Sequence, residues 1–193
     1  MSSRSLLKII VIGQPVAATP AGVASPGMSL AFRMSEAPAR RRLLIEVQLF
    51  AEMSMTPAEI DMVKQSFAQV APIADEAGAL FYNRLFTLDP SLQGLFREDI
   101  AAQSRKLMQM LATAVNGLDK LETIVPAVQA LGVRHVRYGV TEAHYDTVAA
   151  ALLWTLEQGL GADFTPQVRE AWVAAYSILA GAMKAAAREV AVG

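Results

Sequence analysis

Residues 56–70 read TPAEIDMVKQSFAQV, and this stretch decides what kind of chain follows. Thr56-Pro57-Ala58-Glu59 is a capping box with proline at the first helical position: the threonine oxygen accepts an orphan backbone N–H while the glutamate reaches back. A helix therefore starts here. Ile60, Val63, Phe67 and Val70 then recur at spacings of three and four, which puts them on one helical face. The same grammar continues downstream, predicting helices over about 73–88 (stopped by Asp89-Pro90), 100–116 (ended by Asn116-Gly117), 126–138 (opened by Pro126, ended by Gly139), 142–160 (ended near Gly159 and Gly161) and 166–189 (opened by Thr165-Pro166). No stretch alternates with period two, connections are short, and no repeat is evident. The expected fold class is all-α.

Working outward, the 193 residues suit a single domain. With 53% hydrophobic and 18% charged residues, the chain can build a core, which excludes wholesale disorder. Zero cysteines remove disulfides, cysteine-type zinc sites, iron–sulfur clusters, thiolate-ligated haem and covalently attached c-type haem. With only His135 and His144, multi-histidine metal centres go too. The net charge of −1 divides into +3 over residues 1–55 and −4 over 56–193. A mildly acidic body has no electrostatic footprint for nucleic acid.

Residues 1–55 hold four of the nine prolines, mixed with glycine, serine and alanine and lacking sustained periodicity. They are expected to be either a disordered extension or the product of a mis-assigned translation start, with the true start at Met53 or Met55. The apolar run Leu6–Gly13 is interrupted by Lys8 and falls far short of the roughly 20 residues that span a bilayer. It imitates a secretory signal only weakly. No membrane association and a cytoplasmic location are expected, with 56–193 as the folded domain.

In a helical domain, function is sought where a polar residue occupies a stripe that should be buried. Gln103 heads the stripe Leu107, Met110, Leu111 and Ala114; His135 closes the stripe Val128 and Leu131; Tyr82 neighbours Gly78, Leu85 and Phe86. Each has a bland explanation. His135 could be a satisfied core histidine, Gln103 a helix-end residue in water, Tyr82 a core aromatic with its hydroxyl on a carbonyl, and Phe96 a plug beneath a loop. Together they gain weight, because one histidine opposite a glutamine and a tyrosine is what a five-coordinate haem with a hydrogen-bonding distal pocket requires. Phe96, in the turn after the second helix, would suit packing against a flat macrocycle.

The segments LFYNRLFTLDPSLQGLF (80–96), QSRKLM (103–108), LGVRHVRYGVTEAHY (131–145) and FTPQVREAW (164–172) resemble the globin family over about residues 56–188, in globin order and spacing. Within it they are most similar to single-domain bacterial globins related to the haem domain of flavohaemoglobins, and more distantly to neuroglobins. The resemblance implies a globin fold, helices packed around a haem pocket, with non-covalent haem b as cofactor. It assigns His135 as the proximal iron ligand, Tyr82 and Gln103 as the distal pair facing the gas, Phe96 as the haem wedge, Leu107 as distal apolar lining, Lys106 as a cation for a haem propionate and Tyr145 as the proximal tyrosine. His144 has no ligand counterpart and is expected at the surface. Where the flavohaemoglobin type carries a proximal glutamate, this chain has Ala187, with Glu189 two residues away and rotated off the face. His135 is therefore expected to direct its ring N–H mainly at the Leu131 carbonyl.

The resemblance implies reversible dioxygen binding for storage, transport or scavenging, with two donors aimed at the partial negative charge that dioxygen acquires on ferrous iron. Carbon monoxide carries less charge and gains less. Gln103 does not ligate iron as an imidazole does, so an open sixth site is expected. The alternative is an enzyme, a nitric oxide dioxygenase that detoxifies nitric oxide. No flavin or nicotinamide domain is expected to accompany the globin domain, so that activity is expected to use a separate reductase.

Overall fold

The computed structural model describes residues 55–96 and 99–192, with side chains through Val190. The expectations for residues 1–54 lie outside these. Six helices follow in order: α1 (Pro57–Val70), α2 (Ala74–Leu88), α3 (Ile100–Asn116), α4 (Leu121–Arg137), α5 (Glu142–Leu160) and α6 (Pro166–Val192). Short 3₁₀ turns at Ala71–Ile73, Pro90–Leu95, Leu118–Lys120 and Gly161–Asp163 join them. Among the described residues there is no strand, and no helix is long and apolar enough to cross a membrane.

The local signals act as their chemistry dictates. Glu59 N–H donates to Thr56 Oγ1 at 3.2 Å while Thr56 N–H donates to Glu59 Oε2 at 2.7 Å, closing the capping box. Gly139, two residues after α4, and Gly161, directly after α5, take positive φ, 78° and 54°. One boundary differs from expectation. The fourth helix begins at Leu121, not at Pro126, which lies inside it. Proline in the second turn removes only one backbone donor, and the apolar Leu121, Ile124 and Val125 carry the helix back to the Leu118–Lys120 turn.

Helix α2 packs on α3 and α5, α1 on α6, and α4 chiefly on α6. The distal-side helix α3 and the histidine-bearing α4 are not principal neighbours. The core comprises Val63, Val70, Phe81, Leu85, Leu152, Leu156, Trp172 and Ile178. Ser66 is buried among them because its hydroxyl accepts the Trp172 indole N–H at 2.9 Å, fastening α1 to α6. Without that acceptor a buried indole N–H would stand unpaired, which costs about 1–3 kcal/mol.

Two glycines set how close helices come. A Cβ at Gly78 in α2 would lie 2.5 Å from Ser104 Cβ in α3. At Gly132 in α4 it would lie 2.6 Å from Met183 Cα in α6, against main chain that has nowhere to move. Gly181, in the same helix as Met183, has nothing within 4 Å of its hypothetical Cβ. Gly132→Ala should therefore lower unfolding stability by about 1–3 kcal/mol through overpacking, whereas Gly181→Ala should raise it by about 0.5–1 kcal/mol through helix propensity. Urea titration of both variants checks this; equal effects would contradict the crossing geometry.

Candidate functional site

The crossing of α2 and α3 at Gly78 and Ser104 brings two polar side chains into one region. Tyr82 lies one turn beyond Gly78 on α2, and Gln103 directly precedes Ser104 on α3. Both are buried, Tyr82 completely and Gln103 at 5% exposure. The crossing also turns α3 on its axis. Its buried stripe is Gln103, Ser104, Leu107, Met108 and Val115, whereas the expected Met110, Leu111 and Ala114 are half-buried.

Around Tyr82 the environment is aromatic. Its ring meets Phe96 edge-on at 5.2 Å and Phe81 at 5.2 Å, and tilts against Phe86 at 5.9 Å. Phe96 sits in the non-helical residue closing the Pro90–Leu95 turn, so the turn delivers it to this cluster. The turn is held by Asp89, which accepts from Ser91 N–H at 3.0 Å. The Tyr82 hydroxyl is buried and has no hydrogen-bond partner. Burial pushes its pKa above the ordinary tyrosine value, so it remains an O–H donor. Leu107 is buried one turn beyond Gln103 and lines a small apolar hollow with Phe81, Met108, Leu152 and Leu156. Lys106 stands half-buried beside it.

His135 is half-buried near the end of α4. Its Nδ1 lies 3.1 Å from the Tyr145 hydroxyl, where the Leu131 carbonyl was the expected main acceptor. The two rings are 5.8 Å apart at 62°. Tyr145, buried on α5, is fixed by Tyr176, whose hydroxyl donates to the Tyr145 carbonyl at 2.6 Å. Burial, and secondarily the charge of Glu142, raise the Tyr145 phenol pKa. Neither Tyr176 nor Lys184, whose Nζ lies 5.3 Å over the Tyr145 ring, stood out in the sequence. Both lie on α6, at positions whose relation to Tyr145 only tertiary packing reveals. His144 is half-buried at the start of α5, its Nδ1 accepting the Thr141 N–H at 3.1 Å.

Among the described residues no group of three or more His, Asp or Glu side chains could hold a metal ion. A metal at His135 therefore needs a cofactor that brings most of its own ligands. The buried, unpartnered Tyr82 hydroxyl is what a bound polar ligand would satisfy, and haem fits this donor set: a single imidazole in α4, with Tyr82 and Gln103 on the α2–α3 pair.

A globin family model matches residues 79–183. The chain belongs to the globin family. This globin is 28% identical over 143 residues to Neuroglobin-1 of Oncorhynchus mykiss, covering 67% of this chain and 90% of the relative. It is 30% identical over 133 residues to a flavohemoprotein of Vibrio cholerae, covering 65% of this chain but 33% of that longer protein. Its fold is shared with an engineered carbene transferase from Rhodothermus marinus (TM-score 0.65, 24% identity, 72% of this chain and 97% of that one). It is shared equally with a hexacoordinated haem protein from an anhydrobiotic tardigrade (TM-score 0.65, 15% identity, 72% and 98%). Membership of the globin family supports a haem cofactor and haem-based gas binding.

The raised phenol pKa values predict how the fold responds to alkali. Tyr82 and Tyr176 both lie above the ordinary value of 10.0 when folded. The unfolded chain thus loses these protons first, so their contribution to stability is intact below about pH 10 and declines as pH rises further. Urea midpoints between about pH 9 and 11 should fall less steeply in Tyr82→Phe than in the parent protein. An unchanged slope would contradict the burial of this hydroxyl.

Proposed function

We propose that this globin binds dioxygen reversibly on haem b, with residues 56–193 as the functional domain and oxygen storage, transport or scavenging as its role. The observation that carries the reading is the Tyr82 hydroxyl, fully buried and without a partner in an otherwise aromatic and aliphatic environment. When bound, haem supplies a ferrous iron that takes diatomic gases. His135 Nε2 is the nitrogen that would hold it, since Nδ1 is directed at Tyr145. Tyr82 O–H and the Gln103 amide are the donors for a ligand that draws electron density, and Leu107 keeps water from competing with them. Phe96 would pack against the macrocycle, and Lys106 would meet a propionate.

Two charge-assisted hydrogen bonds of about 1–3 kcal/mol each favour retention of dioxygen over carbon monoxide. Tyr82→Phe should accelerate oxygen dissociation by roughly 5- to 150-fold while changing carbon monoxide dissociation much less, as read by stopped-flow absorbance. Equal effects on both gases would contradict the donor role. His135→Ala should weaken or abolish the Soret band, and identical absorbance would overturn the ligand assignment.

A second reading is favoured by the His135–Tyr145 hydrogen bond, which increases electron donation from the imidazole. It is oxidation of nitric oxide to nitrate by dioxygen, with a separate reductase returning the electron after each turnover. Nitric oxide consumption supplied by a generic reductase, compared between the parent protein and Tyr82→Phe, distinguishes it from simple binding.

A further inference from the structure

The ionic side chains of the folded domain are unevenly distributed. Helices α3 and α4 together carry four cations, Arg105, Lys106, Arg134 and Arg137, against the single carboxylate Glu122, a net +3. The remaining residues of 56–193 hold 7 cations and 14 carboxylates, a net −7. Glu122 leaves the positive end of α4 uncompensated. It stands in the first turn, and the run from there to Arg134 is about 18 Å at 1.5 Å per residue.

These four cations are also unpaired. Elsewhere Lys64, Lys184 and Arg188 meet Asp119, Asp146 and Glu142, and Arg84 stacks on the Trp154 ring. None of the four on α3 and α4 makes an ion pair among the described residues. Asp99, the carboxylate that caps α3, is engaged by the Ala101 N–H at 3.0 Å. Each half of the candidate site has two of the cations beside it: Arg105 and Lys106 follow Gln103 within one turn, and Arg134 and Arg137 bracket His135. Lys106 and Arg134 are half-buried, whereas Arg105 and Arg137 are exposed. The exposed two stand about 200° around the helix from Gln103 and His135, so they face solvent and not the site.

Both functional readings above need ferrous iron, and iron that has become ferric needs an electron from outside the chain's own side chains. With haem between α3 and α4, its edge opens in the one strongly positive part of an otherwise acidic domain. A charge separation of this kind turns an acidic partner toward the positive end before contact and raises its encounter rate. Four cations around a redox site suit a protein carrier better than a nucleic acid, which asks for a longer run of them. We propose that the α3–α4 end of the domain is the docking surface for a small acidic electron-carrier protein. The carrier loses one electron on docking, and ferric haem gains it and becomes ferrous. This inference rests on the haem reading and adds the partner's charge and the place where it docks.

The test mixes the full-length, haem-loaded ferric protein with excess reduced flavodoxin, an acidic flavoprotein, in the absence of oxygen, and follows the ferrous spectrum by stopped flow. In parallel, photoreduced riboflavin, small and weakly charged, reads reduction without docking. The flavodoxin rate constant should fall roughly 10-fold between about 20 and 300 mM sodium chloride as the charges are screened. At the lower salt Arg105→Glu and Arg137→Glu should each slow flavodoxin about 5-fold, and Arg169→Glu, the same change of charge at an exposed position on α6, by less than about 2-fold. Riboflavin reduction should be unchanged in all three variants. A flavodoxin rate indifferent to salt, an Arg169→Glu effect equal to the other two, or riboflavin reduction slowed as much as flavodoxin reduction would overturn the proposal. Normal riboflavin reduction beside a flavodoxin rate that ignores salt and both arginines rejects the docking surface alone. A protein that takes up no haem and shows no Soret band rejects the haem reading, and this inference with it.

Discussion

The main chain of α4 runs against the main chain of α6 where Gly132 faces Met183, with no space for even a methyl group. Gly132 is also the one residue of α4 that is buried. The rest of the helix, including the stripe Val128, Leu131 and His135, is half-buried or exposed. His135 stands one turn beyond this contact, so the depth of the glycine fixes the height of the imidazole over α5 and α6. That height lets Nδ1 meet the Tyr145 hydroxyl, which Tyr176 holds in place from α6. The second close crossing, at Gly78 and Ser104, does for Tyr82 and Gln103 what the first does for His135.

These crossings let the fold carry polar groups that a purely structural core would avoid. A buried hydroxyl without a partner costs about 1–3 kcal/mol, and Tyr82 is surrounded by three aromatic rings, none of which accepts a normal hydrogen bond. The aromatic packing offsets that loss and holds the phenol in one orientation. A donor held ready in a dry environment interacts strongly with charge that develops only when a ligand arrives. Under the proposed function, gas binding would draw on a group whose desolvation is already complete in the folded chain.

The helix starts and stops were legible because their signals are local. The Thr56–Glu59 box, the Asp89-Pro90 stop and the glycines after α4 and α5 each act within four residues. Pro126 misled because proline marks a first turn often but also tolerates the second, and the apolar residues before it decided the matter. The helical stripes could be read to within a residue or two, yet the rotation of α3 toward Ser104 and Met108 depended on Gly78, which belongs to another helix. Tyr82, Gln103 and His135 could be picked out because polar residues break apolar stripes. Gly132 carried a signal that could have been used, since glycine costs a helix about 1 kcal/mol and its presence one turn from a candidate ligand asks for a packing reason. The Tyr145 partner of Nδ1 and the Tyr176 brace come from three helices meeting, and no spacing along the chain encodes them.

The proposed function makes His135 the sole protein ligand to the haem iron, with donors instead of a second ligand on the distal side. Histidine supply is limited: His144, the other one, lies at the start of α5 with Nδ1 engaged by the Thr141 N–H. The absorption spectrum of the ferrous, gas-free protein tests this most directly. A five-coordinate iron gives one broad visible band, and this is the predicted result. Sharp, split visible bands of a six-coordinate iron, as a second imidazole on the distal side would produce, would contradict it.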